Sequence, residues 1–299
     1  MRRLRWAIGI AGVFSVAACT SAAPAAQHAS VAPDVSVPRT TASDRVHAAK
    51  VHAANRLKKP AAIISRFKAA DGTVVTLVRF AGAVHYRLHS GSVDPGPAAL
   101  PVVHAGPRIG SGERRQLLAA FNGGFLLSAG AGGYEQEGHV ISPLRRGRAS
   151  LVIDRSGTAY IGAWGSGLPR PHEAVFSVRQ NLQLLVRQRH ATRAAADWTA
   201  WGATLGGGEY VARSALGQNA AGDLIFAAAM STTPADLAAA LVRAGARTAM
   251  ELDINPEWVQ LDVARTAGRG LRAAIPGQVR PADQYLVGWT RDFITVLAA

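Results

Sequence analysis

Three stretches of the chain carry side chains able to hold an anion or move a proton. In Leu117-Leu-Ala-Ala-Phe-Asn-Gly-Gly-Phe125 an apolar run ends at Asn122, Gly123 and Gly124. A buried strand stopping there would present one carboxamide and bare backbone, and glycine lets a ligand approach the main chain closely. A plain turn would use the same letters. In Tyr210-Val-Ala-Arg-Ser-Ala-Leu-Gly217, Arg213 lies between a strand-like start and a glycine. Its planar fork can grip a phosphate or carboxylate through two parallel hydrogen bonds, and a surface arginine is the plainer alternative. The third stretch is acidic. Alternation over 246–254 puts Met250, Leu252 and Ile254 on one strand face and Glu251 and Asp253 on the other, their Cα atoms about 6.6 Å apart. After Asn255-Pro256, a returning strand would bring Asp262 near both acids. Clustered carboxylates repel, which raises one pKa and prepares a general acid. A solvated strand face balanced by arginines is the alternative.

The elements that must position these groups are mostly strands. Residues 73–80 follow the turn signal Asp71-Gly72, and 84–88 follow Gly82. Residues 149–153 lead into Asp154-Arg-Ser-Gly157 and re-emerge at 158–161, a hairpin pattern. Residues 224–229 form another strand. The clearest helix follows: Thr232 or Thr233 caps it, Pro234 suits its first turn, Asp236 favours its N-terminal dipole, and Gly245 ends it. Leu237, Leu241 and Ala244 share its apolar face. Such a pattern predicts an α+β fold, a single domain with a mixed, largely antiparallel sheet and a few helices packed on it.

The chain has 299 residues, a net charge of +14 and one cysteine. Disulfide-stapled scaffolds are thereby excluded, and 48% apolar residues exclude a wholly disordered chain. No phosphate-cradling loop ending in Lys-Ser/Thr occurs, and Gly206-Gly207-Gly208 is a turn. His85 and His89 share a strand face but lie about 13 Å apart, too far for one metal, and are expected half-exposed. Gly165-Ser166-Gly167 lacks the nucleophile-elbow spacing. The arginines are scattered, so acidic envelope polymers or lipid headgroups suit the charge better than nucleic acid.

The N-terminus reads as an address. Arg2, Arg3 and Arg5 precede an apolar stretch, and Val16-Ala17-Ala18-Cys19 resembles a bacterial lipobox with Cys19 as the lipidated residue. Residues 1–19 are therefore expected to be a lipoprotein signal peptide and 20–60 a disordered spacer, with a short helix allowed over 43–57. Residues 61–299 form the folded domain. The expected location is extracytoplasmic, on the cell membrane through a lipid anchor, with secretion as the alternative.

The order of the three chemical segments resembles the phosphodiester glycosidase family, the group related to N-acetylglucosamine-1-phosphodiester α-N-acetylglucosaminidase. The resemblance covers roughly residues 115–265. Asn122–Phe125 matches the family's Asn-Gly-Gly-Phe-like strand end, and Arg213–Gly217 matches its Arg-Thr/Ser-Ala-x-Gly segment. Glu251-Leu-Asp-Ile-Asn-Pro-Glu257 stands where the family reads Asn-Leu-Asp-Gly-Gly-Gly-Ser, so Asp253 matches and the glycine triplet is replaced. The resemblance implies hydrolysis of a sugar–phosphodiester linkage in envelope or exopolysaccharide material, with the sugar released. Asp253 and Glu251 would be catalytic, Arg213 would hold phosphate, and Asn122, Gly123, Gly124, Gly217 and Asn255 would contact substrate. The implied partners are a carbohydrate or sugar-phosphate and the membrane, not nucleic acid. The scheme requires no cofactor or metal, although these carboxylates could bind calcium. The alternative is a non-catalytic glycan- or phosphate-binding lipoprotein on the same fold.

Overall fold

The computed structural model describes residues 61–203 and 207–299. All of them fall in the larger of two units of the chain, Thr41–Ala299. Cys19, the spacer, the short helix expected over 43–57 and Gly206 lie outside the described residues.

Strands group into three sheets. The seven-stranded sheet runs in the order Ala61–Lys68, Val74–Ala81, Leu224–Thr232, Val211–Asn219, Ala246–Glu251, Leu184–Arg187, His190–Ala191. A six-stranded sheet runs His139–Ser142, Tyr134–Gln136, Val175–Gln180, Ala149–Asp154, Ala159–Trp164, Gly167–Leu168. The five-stranded sheet runs Arg269–Ala273, Leu261–Thr266, Leu117–Asn122, Phe293–Ala298, Val84–His89. Among these strands every neighbouring pair is antiparallel except Ala159–Trp164 with Gly167–Leu168. The arrangement agrees with the expected α+β class and antiparallel bias.

Local chemistry explains the best-marked elements. In the hairpin of the six-stranded sheet, Asp154 Oδ1 accepts from the backbone N–H of Ser156 at 2.8 Å and Thr158 at 3.0 Å. Gly157 supplies the left-handed backbone that closes the turn, with φ +76°. The helix Pro234–Arg243 begins at Thr233, whose Oγ1 accepts from Asp236 N–H at 3.1 Å and donates to the Asp236 carboxylate at 2.7 Å. Each side chain thus serves the other in an N-terminal cap. Leu237 and Leu241 face inward.

Burial on both faces accounts for the apolar strands. On Val74–Ala81, Val75 and Leu77 pack in the core beneath the helix, together with Ile225, Ala249 and Leu241. Val78 and Phe80 enter a larger core with Phe121, Leu151, Ile161, Leu216 and Met250, to which all three sheets contribute. Ile109, Leu117, Tyr285, Trp289 and Phe293 form a further cluster. Leu117–Asn122 is consequently buried along its whole length, which fixes where the Asn-Gly-Gly turn emerges.

Two expectations change. The strand after Asn255-Pro256 does not return beside Ala246–Glu251. It crosses to the five-stranded sheet, where Asp262 pairs in register with Ala120. The Asp262 carboxylate is held by Gln260 at 2.6 Å and Gln278 at 2.8 Å, away from the other two acids. His89 is fully buried, not half-exposed, stacking on Phe293 with Nε2 3.2 Å from Glu113. Stacking and a carboxylate partner offset the burial of a polar ring.

Candidate active site

The three chemical segments converge where Leu117–Asn122 and Ala246–Glu251 end. Asn122 donates from Nδ2 to Ser214 Oγ at 2.9 Å, and its Oδ1 accepts from Gln260 N–H at 3.2 Å. Ser214 exchanges backbone bonds with the end of the acidic strand: its N–H donates to Asp253 O, and its carbonyl accepts from Leu252 N–H, both at 2.8 Å. Asn181 adds a clamp, donating to the carbonyls of Glu251 at 2.9 Å and Leu252 at 3.0 Å. Two sheets are thereby joined through polar groups at one end.

Arg213 is buried and donates from Nη1 to Glu251 Oε1 at 2.8 Å. Ala215 and Ala249, the alternate residues on the two strands, lie in the core beneath the helix. The period of two therefore puts the Arg213–Glu251 pair on that face. Arg213 Nε and Nη2 and Glu251 Oε2 have no hydrogen-bond partner. Burial pushes Glu251 up to about 8, with Arg213 pulling it back and the neighbouring Asp253 pushing further.

Asp253 lies two residues past the end of Ala246–Glu251, near enough to Glu251 to act on its charge, and is 3% exposed. Its Oδ1 accepts from the N–H groups of Ile254 at 2.7 Å and Asn255 at 3.0 Å, while Oδ2 lies 3.4 Å from Arg291 Nη2. Burial pushes its pKa up to about 6, against the pull of Arg291 and the two amides. Asn255 uses its own carboxamide in the turn, accepting from Glu257 N–H at 2.9 Å.

The glycines divide by role. A Cβ at Gly123 would run into the Asp292 carboxylate, and one at Gly124 would lie 3.0 Å from the Arg179 guanidinium carbon. Both glycines thus admit protein groups to the strand end. Gly217 sits farther along its strand, where a Cβ would be 2.9 Å from Ala246 Cβ and 3.0 Å from Leu241 Cδ2. It makes room for the helix and is not brought to the cluster. Gly123→Ala is expected to cost about 1–3 kcal/mol, as overpacking does, by displacing Asp292. An unchanged urea midpoint would count against this contact.

Several residues at the cluster had escaped the sequence reading. Arg179 makes a bidentate pair with Asp292, Nε to Oδ2 at 2.7 Å and Nη2 to Oδ1 at 3.1 Å, and also donates to Phe125 O. Arg291 donates to Gly124 O at 2.8 Å, and its guanidinium carbon lies 4.0 Å from the Trp258 ring centroid. The available signals were polar runs against apolar strands: Arg179-Gln180-Asn181 closing one and Arg291-Asp292 opening another.

The raised acids have a consequence for stability. Folded Asp253, Asp262 and Glu251 retain protons that the unfolded chain releases near pH 4. Stability is therefore expected to fall as pH rises from about 4 to 8. Glu251→Gln should flatten the slope between about pH 6 and 8, most of all above about pH 7, where the two aspartates, raised to about 6, are mostly ionised. Urea midpoints measured across this range check it, and an unaltered slope between pH 6 and 8 would overturn it.

Two carboxylates beside buried guanidiniums, where two sheets are stitched together, make an acid–base site suited to an anionic substrate. Among the described residues, no group of three or more His, Cys, Asp or Glu could hold a metal ion. A cavity of about 240 Å³ lies apart from the cluster, lined in part by His85, Arg87, Glu137, Arg155 and Phe176.

Residues 115–253 match the phosphodiester glycosidase family model, a segment just under half of the chain. No curated protein sequence matches it. Among solved structures, it is similar to the catalytic domain of zebrafish N-acetylglucosamine-1-phosphodiester α-N-acetylglucosaminidase, auto-inhibited by its pro-peptide. That likeness has a TM-score of 0.49 and 14% identity over 81% of this chain and 83% of that one. It is also similar to a hypothetical protein from Synechocystis, with a TM-score of 0.49 and 12% identity over 81% of this chain and 62% of the other.

Proposed function

We propose that the protein hydrolyses a sugar–phosphodiester linkage in envelope or exopolysaccharide material, releasing the sugar and leaving a phosphomonoester. The observation that carries this reading is the meeting of Asp253 and Glu251 with Arg213 and Arg291 at the end of the family segment. Asp253 has the less sealed carboxylate and is the group placed to protonate the bridging oxygen as the sugar–oxygen bond breaks. Glu251, sealed behind Arg213, acts through charge on the same centre. Two carboxyl groups with unequal proton affinity suit glycoside hydrolysis, in which one acts as acid and the other as base or charge stabiliser.

The test is release of free sugar from a sugar-1-phosphodiester by the purified chain, with Asp253→Asn as the control. Equal release by both would remove the assignment. The scheme needs no cofactor; turnover that stops on chelation and returns with calcium would change that part. A second reading, a glycan- or phosphate-binding lipoprotein without turnover, is favoured by Ile254-Asn255-Pro256 in place of the glycine triplet. Saturable binding of the substrate with no sugar release would establish it.

The site of action in this reading is outside the cytoplasm, with Cys19 lipidated, the membrane as anchor and no nucleic-acid partner. Two or more acyl chains are needed for stable anchoring. Cys19→Ala should move the protein from the detergent phase to the aqueous phase, and identical partitioning of both forms would sink the anchor.

A further inference from the structure

Arg291 is 4% exposed and carries five N–H donors. Nη2 reaches Gly124 O at 2.8 Å and Asp253 Oδ2 at 3.4 Å. Nε lies 3.7 Å from Asp94 Oδ2, beyond hydrogen-bond reach, and neither Nε nor Nη1 makes a hydrogen bond. A buried guanidinium with one edge unused is costly unless a partner takes that edge. Arg213 is less available, because it sits with Glu251 on the face beneath the helix. The guanidinium stacks over the half-buried indole of Trp258, in the turn closed by Trp258 N–H to Asn255 O at 2.9 Å.

We propose that Arg291, beyond the family-matched segment, receives the substrate's phosphate on its free edge and that this occupation makes Asp253 take up a proton in the complex. The inference rests on the proposed function and names the group that couples its two halves. Asp253 owes its ionised form to Arg291 and to the amides of Ile254 and Asn255, against burial and the nearby Asp292. Glu251 and Tyr285 also face it, Asp94 faces Arg291, and Asp292 is already neutralised by Arg179. A phosphate monoanion on Arg291 removes the largest favourable charge from Asp253 and adds a like charge. An opposite charge at this range is worth about 1–3 pKa units, so its loss leaves Asp253 about half protonated or more at neutrality. The proton comes from solvent, up to one per anion bound, and is then in place for the bridging oxygen.

Calorimetric titration with dimethyl phosphate, whose charge is constant around neutrality, tests this without turnover. In two pH 7 buffers of different ionisation enthalpy, the wild type should take up about half a proton or more per anion bound. Asp253→Asn should bind at least as tightly with no uptake, and Arg291→Lys should bind about tenfold more weakly, having lost the fork. No binding by the wild type, binding without proton uptake, or equal affinity in Arg291→Lys would each overturn the proposal. Sugar release with unaltered Arg291→Lys affinity would leave the proposed function standing. Arg291-dependent binding and uptake without sugar release would leave only the inference.

Discussion

Asp253→Asn is expected to lower turnover of a sugar-1-phosphodiester about 10²–10⁴-fold, the range for loss of a general acid–base group, while the fold survives. The geometry makes the substitution clean. Asparagine keeps an Oδ1 acceptor for the Ile254 and Asn255 amides, so the turn after the strand stays capped. Arg291 loses one partner at 3.4 Å and keeps Gly124 O, Trp258 and the charge of Asp94. Removing a carboxylate that burial has pushed up to about 6 also relieves part of its desolvation. Turnover and thermal midpoint should therefore be measured on one preparation. A large fall in midpoint with proportionate activity would make Asp253 a structural residue.

Asp292→Ala should give the largest loss of stability, about 3–5 kcal/mol, because it strands a buried charge. Arg179 and Asp292 are each 1% exposed at the side chain and meet through two hydrogen bonds. With Asp292 gone, the Arg179 guanidinium stays committed to the Phe125 and Gln180 carbonyls in a site without a counter-charge. For a folded part of this size, about 2–4 °C per kcal/mol converts the loss to roughly 6–20 °C in Tm. The double variant Arg179→Met/Asp292→Leu should be less damaged than the sum of its single changes, since no charge is left unpaired. Additive losses would show that the pair is not coupled.

The two substitutions separate what the site does from what holds it. Asp292 directly precedes the strand that pairs Phe293 with Asn122, and its carboxylate packs against Gly123 and holds the Arg179 that donates to Phe125 O. Losing Asp292 should therefore loosen the Asn122-Gly123-Gly124 turn and lower activity indirectly. Losing the Asp253 charge should act on the proton alone.

Features written in local letters were legible in the sequence. Thr233-Pro234 with Asp236 sets a helix start because the donor, acceptor and fixed backbone angle lie within four residues. Asp154 to Gly157 sets a hairpin for the same reason. The alternation through Met250, Glu251, Leu252 and Asp253 singled out two acids, because strand period depends only on the chain's own pleat. Tertiary structure alone decided their partners. Ala246–Glu251 is already paired on both sides, by Val211–Asn219 and Leu184–Arg187, so Leu261–Thr266 pairs instead with Leu117–Asn122 in another sheet. Arg179 meets Asp292 across 113 positions, and Arg291 meets Asp253 across 38. No local pattern encodes such pairings: a charge is driven to find a partner by burial, and burial exists only once the sheets have packed.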